Sequence, residues 1–467
     1  MEIGAFIAPS SGFLDTYSKA NFNTFSYVLT PSSFADSSAV ARTKDTIDYV
    51  MNRCAELGIG AQIQLHHDLV SANYDNVFTT YLSDVNFKSY PAFKGFYLCD
   101  EPTWGQIDLL DEHYVSWFNT NYGNSDIEFY VNMLGGYSSA IGAIKDANGN
   151  YVYVGGQKIY SGTEEQERVC YEYYVKQFMQ MFAKVQSNNK FFTIDHYALL
   201  DNQTGLLTIP SEEYREEYVN SQGVADSDIL IADNLPDGYQ YVLSQNFLNS
   251  TYKAALNAKN NGYAFGAFIQ SCDEGGTRTF RLPTTIEEIK WQAYVNIAFG
   301  AKKLVYYGYD NRYNGSYMTL VGNPLPLYEL VKETNAEIDK IDHVFAAFDK
   351  WVGLKSFLGT NSTENAAFSK IADVELDALT GVSNVTTSKD LIVGEMVDGS
   401  GNHGYMFVGY DDPINKTETQ VSLTFDGAEG LIIYRNGERT LSDALVDGAY
   451  SFTLSAGEGV FVIPVYA

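Results

Sequence analysis

The segment GFYLCDEP, residues 95–102, decides the fold of this chain. Its apolar residues predict a buried strand, and Pro102, which has no amide hydrogen to give to a ladder, predicts where that strand stops. Asp100 and Glu101 then lie at the carboxyl end of the strand, where (β/α)8 barrels carry their catalytic groups. The alternative is an acidic turn before the next helix, because an acidic residue followed by proline is a frequent turn signal.

Apolar strands alternate with amphipathic helices on both sides of this segment. We predict eight strands, at 3–9, 24–30, 60–66, 93–101, 127–134, 191–198, 263–271 and 302–309. Helical periodicity follows at 42–57, 104–119, 163–186, 241–260, 284–299 and 325–347, with at most a short helix in 10–23. Such alternation indicates a parallel (β/α)8 barrel, the TIM-barrel fold, which we assign to residues 1–349.

The pattern changes near residue 350, where short strands separated by turns replace the helices. We predict an antiparallel β-sandwich over 350–467, with strands at 391–397, 405–410, 420–425, 430–434 and 459–464. Two insertions interrupt the barrel. The pair Asn148-Gly149 predicts a hairpin within 141–160, on the rim, and the polar stretch 199–240 predicts a solvated rim segment.

Composition narrows the class of partner. The 467 residues include 58 acids and 30 bases, a net charge of -28, which argues against nucleic acid or an anionic membrane as partner. The 36 Tyr, 28 Phe and 4 Trp are side chains that sugar-binding clefts use for stacking. The four cysteines (Cys54, Cys99, Cys170, Cys272) have no paired spacing, so we expect buried free thiols and neither disulfides nor a zinc site.

Location and assembly are less constrained by the sequence. No run of 18 apolar residues is present, so we expect no membrane insertion. We expect an extracellular or cell-surface protein after removal of a signal, with the cytoplasm as the alternative. The sequence does not predict the oligomeric state.

Polar side chains fall on one parity of the predicted strands. Because alternate residues of a barrel strand face the axis, we expect them inside the barrel. Polar groups at the carboxyl ends of several strands are costly to bury unless they serve a ligand. The set is Gln62, Gln64, His66, Tyr97, Glu101, Glu128, Tyr130, Asn132, Thr193, Asp195, Tyr197 and Gln270.

With these strand ends, the chain resembles bacterial (β/α)8 glycoside hydrolases of the β-galactosidase-like and related families. GFYLCDEP resembles their fourth-strand acid/base motif, and YVNMLGGY (130–137) and TIDHYAL (193–199) resemble companion substrate-binding strand ends. Residues 281–309 resemble the helix and eighth strand of such hydrolases. The resemblance implies a carbohydrate substrate, Glu101 as general acid/base, and no cofactor or metal.

One departure concerns the second carboxylate. In the family pattern a glutamate ends the seventh strand, whereas Gln270 stands there, and a neutral amide cannot act as nucleophile. Our first choice for the second carboxylate is Asp195, at the end of the sixth strand. Asp273 and Glu274, just past the seventh strand, are the other candidates.

A third option needs no protein nucleophile. Asp100 beside Glu101 resembles the acid pair of N-acetylhexosaminidases, in which one acid orients the acetamido group of the substrate. Strand alternation turns Asp100 away from the axis, so this option requires the backbone to twist at Pro102.

Other strand ends supply candidate sugar contacts. Trp104 is either a stacking platform or an anchor at the start of a helix, and His196 either orients Asp195 or is structural. His66 and His67 precede Asp68, but neighbours on a strand face opposite ways, so we expect no shared metal ion. The predicted substrate-binding set is His66, Asp100, Trp104, Asn132, His196, Tyr197, Gln270, Tyr307 and Tyr309.

The sequence therefore predicts a glycoside hydrolase acting on an oligo- or polysaccharide. The rival from another class is a non-catalytic glycan-binding barrel, which Gln270 favours because the nucleophile is missing. A lyase or isomerase acting on sugars would need a base or metal cluster that the sequence does not offer.

Overall fold

Eight parallel strands form one sheet that curls into a nearly closed barrel in the computed structural model, which confirms the predicted fold class. The sheet order is β1-β8-β7-β6-β5-β4-β3-β2, so the strands from β2 to β8 pair in chain order, β1 pairs with β8, and β1 and β2 are the two edges. The strands are β1 Glu2–Phe6, β2 Thr24–Leu29, β3 Gly60–Leu65, β4 Phe93–Asp100, β5 Glu128–Leu134, β6 Lys190–Asp195, β7 Ala264–Gln270 and β8 Lys303–Tyr307.

The structure describes residues 1–6, 10–71, 76–135, 153–154, 157–158, 164–202, 206–222, 224–273, 280–310, 317–320, 322–360, 366–369, 371–372, 374–442 and 445–467. The predicted Asn148-Gly149 turn and the candidate Glu274 lie outside these ranges. Within 141–160, Tyr153–Val154 and Gln157–Lys158 pair as a short antiparallel ladder.

Side chains close the barrel between β1 and β2, a line that we call the seam. The Tyr17 hydroxyl accepts from the Ala5 amide at 2.9 Å and donates to the Thr24 carbonyl at 2.6 Å. Asn23 donates its backbone amide to the Ile3 carbonyl at 2.9 Å, and its side-chain oxygen accepts from the Ile3 amide at 2.7 Å. The seam is thus bridged largely by a phenol and a side-chain amide.

The helices are amphipathic and capped, as the sequence requires. Asp36 caps the first long helix by accepting from the Ala39 amide at 2.8 Å, and Gly58, with φ of 70°, ends it. The helices are Leu14–Lys19, Ser37–Leu57, His67–Ser71, Trp104–Leu109, Ser116–Tyr122, Glu164–Lys184, Arg215–Gln222, Phe247–Asn261, Ile286–Ala298, Pro326–Ala347 and Ala366–Ser369. A π-helical stretch, Leu110–Val115, joins the fourth of these helices to the fifth.

Most described residues of the segment 199–240 are exposed or half-buried, as predicted for a solvated rim, but the segment also contains short strands that the sequence did not indicate. Leu199–Asp201 pairs with Tyr241–Leu243, and Leu207–Ile209 pairs with Ile229–Ile231. Leu207, Ile209, Tyr218 and Ile229 form a small buried core together with Leu320 and Leu325. Strands of three residues carry too little periodicity to be read from the sequence.

The C-terminal part forms two antiparallel sheets, as predicted. The strands are β9 Lys350–Phe357, β10 Val382–Thr387, β11 Leu391–Val397, β12 His403–Gly409, β13 Thr419–Phe425, β14 Gly430–Arg435, β15 Glu438–Leu441, β16 Ala449–Leu454 and β17 Gly459–Val465. One sheet has the order β9-β11-β12-β17-β14-β15 and the other β10-β13-β16. Buried side chains of both sheets, such as Val393, Phe407, Val421 and Phe425, pack as one core, so the sandwich is confirmed.

Two further findings concern the cysteines and the helices of the described residues. Cys54, Cys99 and Cys272 are buried free thiols. Over the same ranges, no helix combines the length and apolarity that crossing a membrane requires.

Candidate active site

A β-bulge in β4 sets the orientation of the acidic strand end. Tyr97 pairs with Tyr130 and Cys99 pairs with Val131, so Leu98 is an extra residue that has no pairing partner on β5. The bulge shifts the alternation by one residue, and Asp100 comes to lie on the same face as Tyr97, beside Asn132. The expectation that Asp100 points away is wrong, because alternation breaks at Leu98 and no twist at Pro102 is needed.

Asp100 is held by a chain of hydrogen bonds inside the barrel. Its Oδ1 accepts from the Tyr97 hydroxyl at 2.6 Å and from Asn132 Nδ2 at 3.0 Å. The Asn132 Oδ1 accepts in turn from the Thr193 hydroxyl at 2.7 Å, which lies 2.8 Å from the Tyr130 hydroxyl. Burial raises the pKa of Asp100, while the bonds from Tyr97 and Asn132 act in the opposite direction.

Asp195 joins this group from the end of β6. It is 7% exposed. Its negative charge, like that of Asp100, adds to burial in raising the pKa of the Tyr97 and Tyr130 hydroxyls. Asp195 lies two residues after Thr193 on β6 and so shares its inward face. We call Tyr97, Asp100, Tyr130, Asn132, Thr193 and Asp195 the axial cluster.

Glu101 follows Asp100 in a strained backbone conformation. Because the bulge puts Asp100 on the inward face, strand parity no longer places Glu101 inside the barrel as expected. Its φ is 46°, in the left-handed region that non-glycine residues rarely adopt. The Glu101 amide donates to the Asn132 carbonyl at 3.0 Å, which fixes the residue at the carboxyl end of β4. The side chain is half-buried, and its charge helps to raise the pKa of Cys99 and of Tyr174. Strain of this kind is concentrated at functional sites.

Aromatic rings line the interior around the axial cluster. The Phe6 ring lies 5.9 Å from Tyr307 and 6.3 Å from Tyr97, centroid to centroid. Tyr197 stacks on Tyr307 at 5.2 Å, so two predicted sugar-binding residues are brought together. Phe6 was not predicted as a site residue, although it ends the first strand, where inward parity could have indicated it.

Below the axial cluster, the barrel floor is ionic. Lys303 is buried 4.4 Å from the ring centroids of both Tyr130 and Phe191. Glu128 accepts from Gln62 and lies 3.8 Å from Lys94, which also pairs with Glu2. Burial, together with the Glu2 charge, raises the pKa of Glu128 to about 7. Although burial alone would raise it, Lys303 and Lys94 lower the pKa of Glu2 to about 2.

Gln270 is not in contact with the axial cluster. Its side chain is fully buried, accepts from the Leu199 amide at 3.0 Å, and donates to the carbonyls of Leu199 and Arg281 at 2.8 Å each. Its polar atoms therefore hold backbone segments. The candidate Asp273 is also turned to the rim, where Oδ2 accepts from the Thr208 amide at 2.7 Å.

Three further predicted residues lie away from the axial cluster. Trp104 is 7% exposed and packs in the main core, which fits an anchor at the start of its helix. His196 faces outward: its Nε2 lies 3.0 Å from the Ser244 hydroxyl, and burial lowers its pKa to about 3. Tyr309 is buried against Tyr17 at 5.2 Å.

His66 lies past the end of β3, at the same edge of the barrel as Asp100. Because β3 ends at Leu65 and a helix begins at His67, strand alternation no longer applies to these neighbours. The two imidazole rings face each other with centroids 4.1 Å apart, so the argument that they point in opposite directions is wrong. Burial and the neighbouring His67 lower the pKa of His66.

The rim is tied to the β-sandwich by a buried ion pair that the sequence did not indicate. Arg281, 1% exposed, donates from Nη1 and Nη2 to the two oxygens of Asp412 at 2.8 and 2.6 Å, and from Nε to Glu288 at 3.0 Å. Its Nη1 also reaches the Leu200 carbonyl at 3.2 Å. The segment after β6 is thus fixed from the C-terminal side.

The sequence matches no protein-family model and no curated protein. Among solved structures, it is similar to a β-galactosidase from Bacillus circulans sp. alkalophilus (7% identity, TM-score 0.47, covering 100% of this chain and 99% of the other). A family 39 glycoside hydrolase from the gut symbiont Bacteroides cellulosilyticus WH2 gives 10% identity and a TM-score of 0.44, over 99% of this chain and 80% of the other. A GH30 endoxylanase from Clostridium papyrosolvens C71 gives 8% and 0.42, over 99% and 95%. Likenesses this distant assign no activity, so the functional argument rests on the site.

Proposed function

We propose that this protein is a glycoside hydrolase whose catalytic centre is the carboxyl end of the barrel. The observation that carries the proposal is that Asp100 and Asp195, from β4 and β6, share the inward face of the barrel with Tyr97 and Tyr130. Glycoside hydrolysis uses a pair of carboxyl groups that flank the scissile bond, and it needs no cofactor. Aromatic rings beside the acids provide the surfaces on which sugar rings stack.

Within this proposal, Glu101 is the general acid/base and Asp195 is the second carboxylate. The strained φ of 46° at Glu101 supports its role, because such strain persists where the surrounding structure enforces a required geometry. Asp100 orients the substrate from within the axial cluster. Tyr97 and Asn132 donate hydrogen bonds to Oδ1 of Asp100, and Oδ2 is the oxygen that accepts from a sugar hydroxyl.

A second candidate keeps the reaction and changes the nucleophile. In a substrate-assisted hydrolase, the acetamido group of the substrate attacks and Asp100 orients it. The bulge at Leu98 favours this candidate because it turns Asp100 toward the axis. The two candidates differ in the substrates they accept, since only N-acetylated sugars carry the attacking group.

The test is release of sugar from a panel of glycans and aryl glycosides, with and without N-acetyl groups. We expect Glu101→Gln to lower kcat by roughly 10²- to 10⁴-fold, the usual contribution of a general acid/base. Asp195→Asn should lose activity and regain part of it with azide if Asp195 is the nucleophile. Glu112→Gln, at a side chain that is 74% exposed, is the matched control and should keep full activity.

Each other outcome has a defined meaning. Equal release by wild type and Glu101→Gln would refute the assignment of Glu101. Activity confined to N-acetylated substrates, with Asp195→Asn unaffected and Asp100→Asn inactive, would favour the substrate-assisted candidate. No release from any substrate, together with saturable binding to a glycan on the same panel, would refute hydrolysis and leave the non-catalytic glycan-binding protein.

A further inference from the structure

The end of β3 carries a group of metal-ligand side chains. His66, His67 and Asp68 each offer one ligand atom, and these atoms lie within 4.8 Å of one another. His66 Nδ1 is 3.4 Å from Asp68 Oδ2, and His67 Nε2 is 3.2 Å from Asp68 Oδ1. We call these three residues the mouth triad, because they lie at the carboxyl edge of the barrel.

The spacing within the mouth triad fits a tetrahedral ion. Zinc binds imidazole nitrogen and carboxylate oxygen at about 2.0–2.2 Å, so tetrahedral ligands stand roughly 3.3–3.6 Å apart. The two nitrogen–oxygen distances, 3.4 Å to Asp68 Oδ2 and 3.2 Å to Asp68 Oδ1, involve different oxygens of one carboxylate, and the ligand atoms taken one per residue lie within 4.8 Å of one another. Closing the remaining gap requires the side chains to rotate, and the His67 and Asp68 side chains are each 59% exposed.

The donor set selects the class of metal. Two imidazoles and one carboxylate suit zinc and its late first-row neighbours, whereas Mg²⁺ and Ca²⁺ prefer oxygen ligands alone. Three protein ligands leave a fourth position for water or for a hydroxyl of a bound molecule, the arrangement of open zinc sites. The exposed side chains also give the ion a direct path from solvent.

Another histidine–acid pair shows what distinguishes the mouth triad from other surface groups. His113 Nε2 lies 3.9 Å from Glu112 Oε2, so it too is a histidine beside an acid. That distance exceeds the tetrahedral value, and within the described ranges His113 belongs to no set of three such side chains. The comparison makes His113 a suitable control.

We propose that His66, His67 and Asp68 form a divalent transition-metal site of the zinc class at the mouth of the barrel, with an open coordination position. The paired strands β3 and β4 place it next to the Asp100 strand end, in register from Gln64 opposite Tyr97. The Asp68 amide, 3.3 Å from His66 Nδ1, gives up a long hydrogen bond when the nitrogen turns to the metal. The proposed metal site does not depend on the proposed hydrolysis, and a measurement of metal binding is enough to test it.

The test is calorimetric titration of the full chain, freed of metal by chelation, with ZnCl₂ near pH 7.5. We expect one saturable site, whose affinity falls at least ~10-fold in His67→Ala and in Asp68→Asn. His113→Ala should bind as the wild type does, and circular dichroism should show that all variants are folded. Binding should weaken at pH 5.5, because imidazole must be deprotonated to bind the metal.

Spectroscopy with Co²⁺ gives a second readout that does not depend on activity. We expect the visible absorption of four-coordinate Co²⁺ in the wild type and its loss in His67→Ala. The absence of a saturable Zn²⁺ event in the wild type would overturn the proposal. Equal affinity in wild type, His67→Ala and Asp68→Asn would also overturn it, since the metal would then be bound elsewhere.

Discussion

Replacing Asp412 with alanine should reveal how strongly the β-sandwich stabilises the barrel rim. Asp412 neutralises Arg281 through two short hydrogen bonds, 2.8 and 2.6 Å, in a place where the guanidinium is 1% exposed. The variant removes both bonds and leaves the buried cation with Glu288, at 3.0 Å, as its remaining acidic partner. The same guanidinium holds the Leu200 carbonyl, so the damage should reach the segment after β6.

The expected cost follows from the burial of the pair. Removing one partner of a buried ion pair typically costs about 3–5 kcal/mol, because the other charge is left without compensation. Since Glu288 still faces Arg281, we expect the lower end, about 3 kcal/mol. The urea dependence is up to about 3 kcal/mol per M for small proteins and larger for a chain of 467 residues, so the unfolding midpoint should fall by less than about 1 M. Urea titration followed by tryptophan fluorescence and by circular dichroism measures it.

Two control variants sharpen the test. Glu329→Gln removes a surface partner of Lys332, with side chains 62% and 42% exposed, and should shift stability by no more than about 0.5 kcal/mol. The triple variant Arg281→Met/Glu288→Gln/Asp412→Leu removes the cation together with both of its acidic partners and should be more stable than Asp412→Ala. A midpoint for Asp412→Ala that equals that of Glu329→Gln would refute the reasoning.

Three other predictions concern the barrel interior. Tyr97→Phe removes a hydrogen-bond donor that favours the ionised form of Asp100, so the pKa of Asp100 should rise further. The acid limb of the kcat/KM profile, which Asp100→Asn should abolish, should then move to higher pH. An unmoved acid limb would contradict this. Gln270→Glu puts a charge against the Leu199 carbonyl and should cost at least ~2 kcal/mol without raising activity, as thermal melts and rate assays would show; a faster enzyme would count against the structural role of Gln270. The pKa of Glu128 is raised from 4.5 to about 7, so the folded state binds its proton more tightly and wild-type stability should fall as pH rises through that window. Glu128→Gln should lose that part of the slope in urea titrations at pH 5 and pH 8, and parallel profiles for the two proteins would refute the assignment.

The barrel could be read from the sequence because its strands are apolar runs bounded by clear breaks. The predicted strand 93–101 matches Phe93–Asp100, and the others agree to within a few residues at each end. Inward parity also placed Asn132 and Asp195 correctly in the interior. Strand positions and inward parity depend on neighbouring residues in the sequence, so hydrophobic periodicity is enough to predict them.

The remaining features depend on contacts that the sequence does not display. The bulge at Leu98 inserts one residue without changing the apolar pattern of β4. The sequence therefore contains no sign that the Asp100 side chain faces inward. Gln270 was predicted to be a strand-end ligand because its partner Leu199 is 71 residues away in sequence and no local pattern indicates their hydrogen bonds. The ion pair of Arg281 could not be predicted either, because its partner Asp412 is 131 residues away in sequence.

The seam between β1 and β2 has a consequence for solubility. A sheet that closes on itself has no free edge, but this closure depends largely on the Tyr17 phenol and the Asn23 amide. If the hydrogen bonds of these two side chains break, β1 and β2 each present an unpaired edge, to which a strand of another molecule can pair. Tyr17 and Asn23 therefore oppose intermolecular association. Selection for solubility would act on them independently of the axial cluster.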